Sequence, residues 1–358
     1  MKEIDSTLRN LVEKNRTPSV QYAVFNRDSM IHHSVAGFAN ISKRIGISES
    51  TTYNWFSVTK TFTALAVLQL AEQEKLGIDQ PVKKYLPDFP YNEDITIKQL
   101  LSHTAGVPNP IPLRWTHLAD EHASFNRDDY FRQVFEKNKK TKSGPGEKFA
   151  YSNLGYVILG STIEKVSGLT YEDYVRKNII RYLNIKDHKL DFTIYVPDNQ
   201  ATGYHKKWSL SNTMLGLLID RSKFMGKTEG KWTSFMPGYV NGTSYGGLIG
   251  TAGAFVNYIR ELLKPDCRLI TNESRNMMFT ETMTHGGKPT GMCLSWFTGR
   301  LNGNQYFAHA GGGGGYYCEI RIYRELGIGS MIVFNRTGMK DDRFLDKVDA
   351  YVVAAMNA

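Results

Sequence analysis

The string Trp55-Phe56-Ser57-Val58-Thr59-Lys60 is the stretch on which the reading of this 358-residue chain turns. A serine and a lysine three apart at the start of a helix lie on the same face, one turn from each other, so the amine can serve the hydroxyl. An N-capping serine and a surface lysine would give the same spacing. The residues that follow argue against that plainer reading. Phe62, Leu65, Ala66, Leu68, Leu70 and Ala71 spread apolar side chains over a wide helical face that runs to a stop at Gly77, which predicts a mostly buried helix. A lysine in its first turn is then desolvated, its pKa falls, and it becomes a plausible base.

Working outward, residues 19–38 form two β-rich runs split by Asn26-Arg27-Asp28-Ser29, the pattern of a hairpin. Near the other end, alternating runs at 293–301, 305–308, 316–324 and 328–335 are each bounded by Gly or Asn, which predicts antiparallel strands joined by hairpins. A Gly-rich helix start is expected at Gly246, in the stretch to Leu263, and Phe344, Val348, Tyr351, Val352 and Ala355 predict a closing helix. Between about residues 80 and 240 helical stretches dominate, at 97–101, 127–137, 153–166 and 171–183. The expected fold is therefore α/β of the α+β type. Residues 1–79 and 241–358 build an antiparallel sheet flanked by helices, residues 80–240 form a largely helical inserted domain, and the active site lies between them.

Two further strings carry functional groups. Pro145-Gly146-Glu147-Lys148-Phe149-Ala150-Tyr151-Ser152-Asn153 opens a helix with a phenol and a carboxamide two residues apart, where a packing Tyr and an N-cap Asn are the plainer alternatives. His309-Ala310-Gly311-Gly312-Gly313 ends a strand with glycines that let the backbone approach a ligand and offer an N–H to an oxyanion.

In the order S-x-x-K, Y-x-N, H-x-G, these strings resemble the serine β-lactamase and penicillin-binding-protein superfamily, especially its class C and esterase branch. Residues 100–106 (Leu-Leu-Ser-His-Thr-Ala-Gly) and 246–252 (Gly-Gly-Leu-Ile-Gly-Thr-Ala) resemble supporting strings of that family, and the likeness covers nearly the whole chain. The resemblance implies the roles. Ser57 would be the acylated nucleophile, with Lys60 sharing its proton network. Tyr151 would be the general base, which requires Lys60 to favour phenolate or to share the proton, since a free phenol has a pKa of about 10. Asn153 would bond the substrate or orient Lys60. The N–H groups of Ser57 and Gly312 would form the oxyanion hole, and His309 and Gly311 would help to bind substrate. Neither a cofactor nor a metal is implied.

One departure bears on the substrate. Many β-lactamases and DD-peptidases carry Lys-Thr-Gly where this chain has His309-Ala310-Gly311, and a histidine is charged only part of the time near neutrality, so carboxylate recognition should weaken. The expected substrate is a small molecule. A carboxylesterase acting on small or medium acyl esters ranks first, a peptidase or amidase specific for D-amino acids second, and a β-lactamase or DD-peptidase third. A penicillin-binding sensor without turnover is the alternative from another class.

Gly242-Thr243-Ser244-Tyr245-Gly246 also matches the G-x-S-x-G elbow of α/β hydrolases, with Asp266 and His309 downstream. That elbow needs a buried strand directly before its serine, whereas residues 232–241 contain Pro237 and Gly238. Phosphate-binding glycine loops and the H-E-x-x-H metal motif are absent.

Composition sets the outer bounds. With 41% hydrophobic and 22% charged residues the chain resembles an ordinary globular protein, and its net charge of +9 is scattered. Its densest cluster, Lys137, Lys139, Lys140 and Lys142, is expected to be a solvated face, so no nucleic-acid partner is expected. Cys267, Cys293 and Cys318 are expected as buried thiols of a reducing compartment. No apolar run approaches a membrane span, and the first residues lack the apolar core of a secretory signal, so the cytoplasm is the expected location with no membrane partner.

Overall fold

The alternating runs from the two chain ends meet in one antiparallel sheet. In the computed structural model, which describes residues 1–110, 115–207, 220–339 and 343–356, seven strands take part: β1 (Ser19–Asn26), β2 (Met30–Asn40), β3 (Ile45–Gly46), β4 (Phe297–Leu301), β5 (Asn304–Gly313), β6 (Tyr316–Tyr323) and β7 (Ile328–Phe334). Their order is β4-β5-β6-β7-β1-β2-β3. The two ends of the chain join where β1 lies between β2 and β7, with Val20 opposite both Ala36 and Phe334. Along β1 successive side chains enter opposite cores, as a period of two requires: Ala23 and Phe25 face one, Val20, Tyr22 and Val24 the other.

The second core is covered by the helices Lys2–Glu13 and Leu345–Met356, through Ile4, Leu8, Leu345, Val348 and Val352. The first of these was not anticipated, although Ile4, Leu8, Leu11 and Val12 stand at i, i+4, i+7 and i+8, the pattern of an amphipathic helix. On the other face the helix Ala252–Leu263 packs against β1 and β7, and the helix Thr59–Glu72, in the same core, packs against the helix Asn153–Ser167. Every residue from Thr59 to Leu70 is buried, because a helix apolar all round finds no stable place at a surface. It ends before the expected Gly77. Glu74 turns left-handed (φ 55°), and the N–H groups of Glu74 and Lys75 close back on the carbonyls of Ala71 and Leu70, capping the helix without glycine.

The stretch from residue 80 to 240 contains the expected helices, including Ile97–Leu101, Arg127–Lys137 and Tyr171–Asn178. It also contributes strands to small sheets that the sequence reading did not foresee. Thr116–Leu118 pairs with Gly238–Val240, and Trp232–Phe235 lies between Tyr204–Lys206 and Met225–Glu229. The expected helix start at Gly246 is instead a short turn and a strand, Ile249–Thr251, before the helix Ala252–Leu263. All three cysteines are free thiols; Cys293 and Cys318 are buried and Cys267 is half-buried. Among the described residues no helix is long and apolar enough to cross a membrane.

Two features of this frame shape the site. Pairing of β4 with β5 ends at Phe297 opposite Ala308, so residues 309–313 of β5 are paired only with β6 and leave one edge free. That edge meets the start of the helix Thr59–Glu72. A Cβ on Gly311 would lie 2.3 Å from the Trp55 carbonyl oxygen and 3.0 Å from the Ser57 nitrogen, so only glycine permits this approach.

Candidate active site

Ser57 sits in a single 3-10 turn, Phe56–Val58, that runs into the buried helix. Phe56, immediately before it, adopts a left-handed φ of 43°, a conformation that costs a bulky residue about 1–2 kcal/mol and that lifts the following serine out of the regular helix. Lys60 follows one turn later. Its Nζ lies 2.9 Å from Ser57 Oγ and donates to the Tyr245 carbonyl at 2.7 Å. From the loop before the helix Asn153–Ser167, the Tyr151 hydroxyl donates to the same Ser57 Oγ at 2.9 Å. Two groups from distant parts of the sequence, Lys60 and Tyr151, thus converge on one oxygen.

Lys60 is fully buried, with the rings of Tyr151, Tyr156 and Tyr245 at 5.1–5.4 Å from Nζ. Burial pushes its pKa well below the ordinary lysine range. The same burial pushes the Tyr151 phenol up, with the bond to Ser57 opposing it. Both shifts favour the neutral forms, amine beside phenol, and so count against the phenolate, which was one of the two routes the sequence left open beside a shared proton. A neutral Lys60 has a lone pair to accept the Ser57 proton, while Tyr151 keeps its hydrogen to donate.

Asn153 is the first helical residue and not the N-cap. Ser152 takes that place, its Oγ accepting from the Gly155 N–H at 3.0 Å. The Asn153 backbone N–H and its side-chain Nδ2 both donate to Asn109 Oδ1, at 3.0 and 3.2 Å. A backbone N–H needs an acceptor, so the Asn109 atom is the oxygen; the Asn153 atom facing that oxygen is then the nitrogen. Asn153 Oδ1 is left buried with no partner, and it does not bond Lys60. Asn109 escaped the sequence reading because nothing local links it to a residue 44 positions away.

The histidine of the third string departs most from expectation. His309 is 1% exposed, and burial pushes its pKa down to about 3. Its Nδ1 donates to the Ala310 carbonyl at 2.8 Å, leaving Nε2 as a buried acceptor without a partner. The partial positive charge expected near neutrality is absent, because the charged form loses its hydration inside the core.

In front of Ser57 opens a cavity of about 720 Å³. Ser57, Asn153 and Gly312 line it, while Lys60, Tyr151, His309 and Gly311 are not lining residues. Its apolar surface comes from Phe56, Phe235, Met236, Tyr239 and Tyr316. Residues 235–239 line the cavity, whereas Trp115 and Trp232 do not. Lys43 is the single lysine or arginine among the described lining residues, and it is paired with Asp198 at 3.4 Å. The competing serine, Ser244, is buried and structural. Its Oγ donates to the Tyr156 carbonyl at 2.8 Å, and its own carbonyl accepts from Thr63.

Gly311 provides a steric test of this arrangement. Gly311→Ala is expected to force β5 away from the Ser57 turn and to lower turnover by about 100-fold, the order of loss for a misplacement near 1 Å, while the protein still folds. Unchanged turnover in Gly311→Ala would show that the close approach of strand and serine is not required.

Comparison with known proteins bears on this geometry. The profile of the family described as Beta-lactamase matches residues 4–354. Protein flp of Staphylococcus aureus (strain MW2) is 29% identical over 214 residues, which cover 58% of this chain and 42% of that protein. Penicillin-binding protein 4* of Bacillus subtilis (strain 168) is 31% identical over 178 residues, covering 50% and 39%. The matched region thus spans about two fifths of these curated relatives. Among solved structures, the octameric penicillin-binding protein homologue from Pyrococcus abyssi superposes with a TM-score of 0.78 at 23% identity, over 99% of this chain and 77% of that one. The D-amino acid amidase from Ochrobactrum anthropi SV3 complexed with D-phenylalanine gives 0.79 at 19% identity, over 100% and 99%. At such identities these two likenesses speak for the fold.

Proposed function

Because this chain belongs to the beta-lactamase family, within the superfamily of serine hydrolases that includes the penicillin-binding proteins, we propose that it hydrolyses amino-acyl amides or esters through an acyl-enzyme on Ser57. Ser57 Oγ attacks the carbonyl carbon as its proton passes to neutral Lys60, and the N–H groups of Ser57 and Gly312 receive the oxyanion. Collapse breaks the bond to the leaving group. Tyr151, held as a phenol, gives that group a proton and regains one from Lys60. Water then repeats the sequence on the ester.

The observation that carries the choice of substrate is Asn153 Oδ1, a buried acceptor without a partner in a residue that lines the cavity. An acceptor there is satisfied by a substrate that brings a donor close to its carbonyl, such as the ammonium of an amino acid. A plain carboxylester brings none, which moves the amidase reading ahead of the carboxylesterase. Carboxylate-bearing substrates are disfavoured further, since His309 is neutral and Lys43 is already paired with Asp198. The D configuration rests on the likeness to the D-amino acid amidase alone.

The test compares D-phenylalanine amide, its L enantiomer, 3-phenylpropionamide, p-nitrophenyl butyrate and a chromogenic cephalosporin. A hydrogen bond to a charged donor contributes about 1.5–3 kcal/mol, so removing the amino group is expected to lower kcat/KM by about tenfold to a hundredfold. Equal rates with and without the amino group, alongside rapid cleavage of the butyrate, would restore the simple esterase.

A further inference from the structure

We propose that His103 is a positioning residue that aims the Tyr151 hydroxyl at Ser57, an inference that rests on the role given to Tyr151 above. Tyr151 lies between the end of one loop and the helix Asn153–Ser167, in a stretch with no strand partner. Both of its neighbours are tied to one residue. The Ala150 N–H donates to the His103 carbonyl at 2.7 Å, and the Ser152 N–H donates to His103 Nδ1 at 3.1 Å. Between these two anchors the imidazole lies against the Tyr151 ring, 4.2 Å between centroids at 33°, with the Tyr156 ring 5.0 Å away on the same imidazole. One side chain thus restrains the backbone on either side of Tyr151 and covers its ring.

The backbone of His103 is set for this task. It follows the short helix Ile97–Leu101 with a left-handed φ of 56°, which turns its carbonyl and its ring together toward residues 150–152. The bond from Ser152 requires Nδ1 to be the bare nitrogen, so the proton sits on Nε2 and the ring must stay neutral. Burial favours that state. Among the described residues His103 bonds neither Ser57 nor Lys60, so its influence on the reaction runs through Tyr151.

The test is a double-mutant cycle on turnover of p-nitrophenyl acetate, a probe that acylates a serine nucleophile without demanding a particular acyl group. His103→Asn tolerates the left-handed φ and keeps an acceptor, but removes the ring. It is expected to lower kcat by about 100-fold with KM changed less than threefold. In a Tyr151→Phe background the same change is expected to cost less than threefold, since there is no hydroxyl left to aim. Melting temperature is followed in parallel, and if His103→Asn does not fold, His103→Phe, which keeps a ring and removes the acceptor, enters the same cycle. Equal losses in both backgrounds, or a fall confined to KM, would overturn the positioning role and leave His103 a packing residue. Full activity in Tyr151→Phe alone would instead overturn the role of Tyr151 and this inference with it.

Discussion

Ser57→Ala is expected to lower turnover of every substrate by about 10⁵- to 10⁶-fold and to abolish labelling by a serine-directed phosphonate, with no change in melting temperature. The magnitude is that of removing a nucleophile while the oxyanion donors and the cavity remain. Stability should hold because the lost Oγ only accepts from Tyr151 and faces Lys60, whose amine keeps its bond to the Tyr245 carbonyl. The control is Ser244→Ala, which removes a buried bond to the Tyr156 carbonyl and so should cost stability and leave labelling intact. Labelling that persists in Ser57→Ala and vanishes in Ser244→Ala would transfer the chemistry to the G-x-S-x-G string.

The second large effect concerns the proton network. Lys60→Met and Tyr151→Phe are each expected to cost about 10³- to 10⁴-fold in kcat, and the double variant little more than the worse of the two, because groups that move one proton act as a unit. Additive losses would mean that the two act in separate steps. The pH profile assigns the base. A lysine whose pKa is pushed down by burial loses its proton at lower pH than an ordinary lysine, so kcat/KM should fall on the acid side, as Lys60 gains a proton. Tyr151 should contribute no limb there, since burial pushes it upward. A limb near pH 10 that disappears in Tyr151→Phe would return the base to the phenol.

The same shift has a consequence for stability. Between the folded and unfolded pKa values of Lys60 the unfolded chain binds more protons, so this residue's penalty on folding is present at neutral pH and fades as pH rises to the ordinary lysine range. Lys60→Met should therefore raise the melting temperature at pH 7 and do so less at pH 10. A neutral or destabilising effect at pH 7 would mean that the bond to the Tyr245 carbonyl outweighs the buried amine.

Much of the fold was legible because it is written in local periodicity. The two β-rich runs within residues 19–38 and the alternating runs at 316–324 and 328–335 marked the central strands, and the wide apolar face after Ser57 marked the buried helix that carries Lys60. Where the local signal was ambiguous, expectation and structure part. Ser152 and Asn153 are both good caps, and only the packing of Ser152 Oγ on the Pro108 carbonyl selects the serine. Glu74 ends its helix where a glycine was expected because the closing bonds, and not the residue type, define the cap.

By itself the sequence determined which groups can do chemistry: a serine, a lysine and a tyrosine in family order, and glycines at the end of β5. Tertiary structure decided their protonation and their partners. His309 is neutral, Lys60 is an amine and Tyr151 a phenol because each has lost its water, and the extent of that loss depends on everything packed around it. The free acceptor on Asn153 exists because Asn109 takes its nitrogen, and the aim of Tyr151 depends on His103, 48 residues earlier. Desolvation and long-range hydrogen bonds are properties of a closed volume, and no local pattern of residues encodes them.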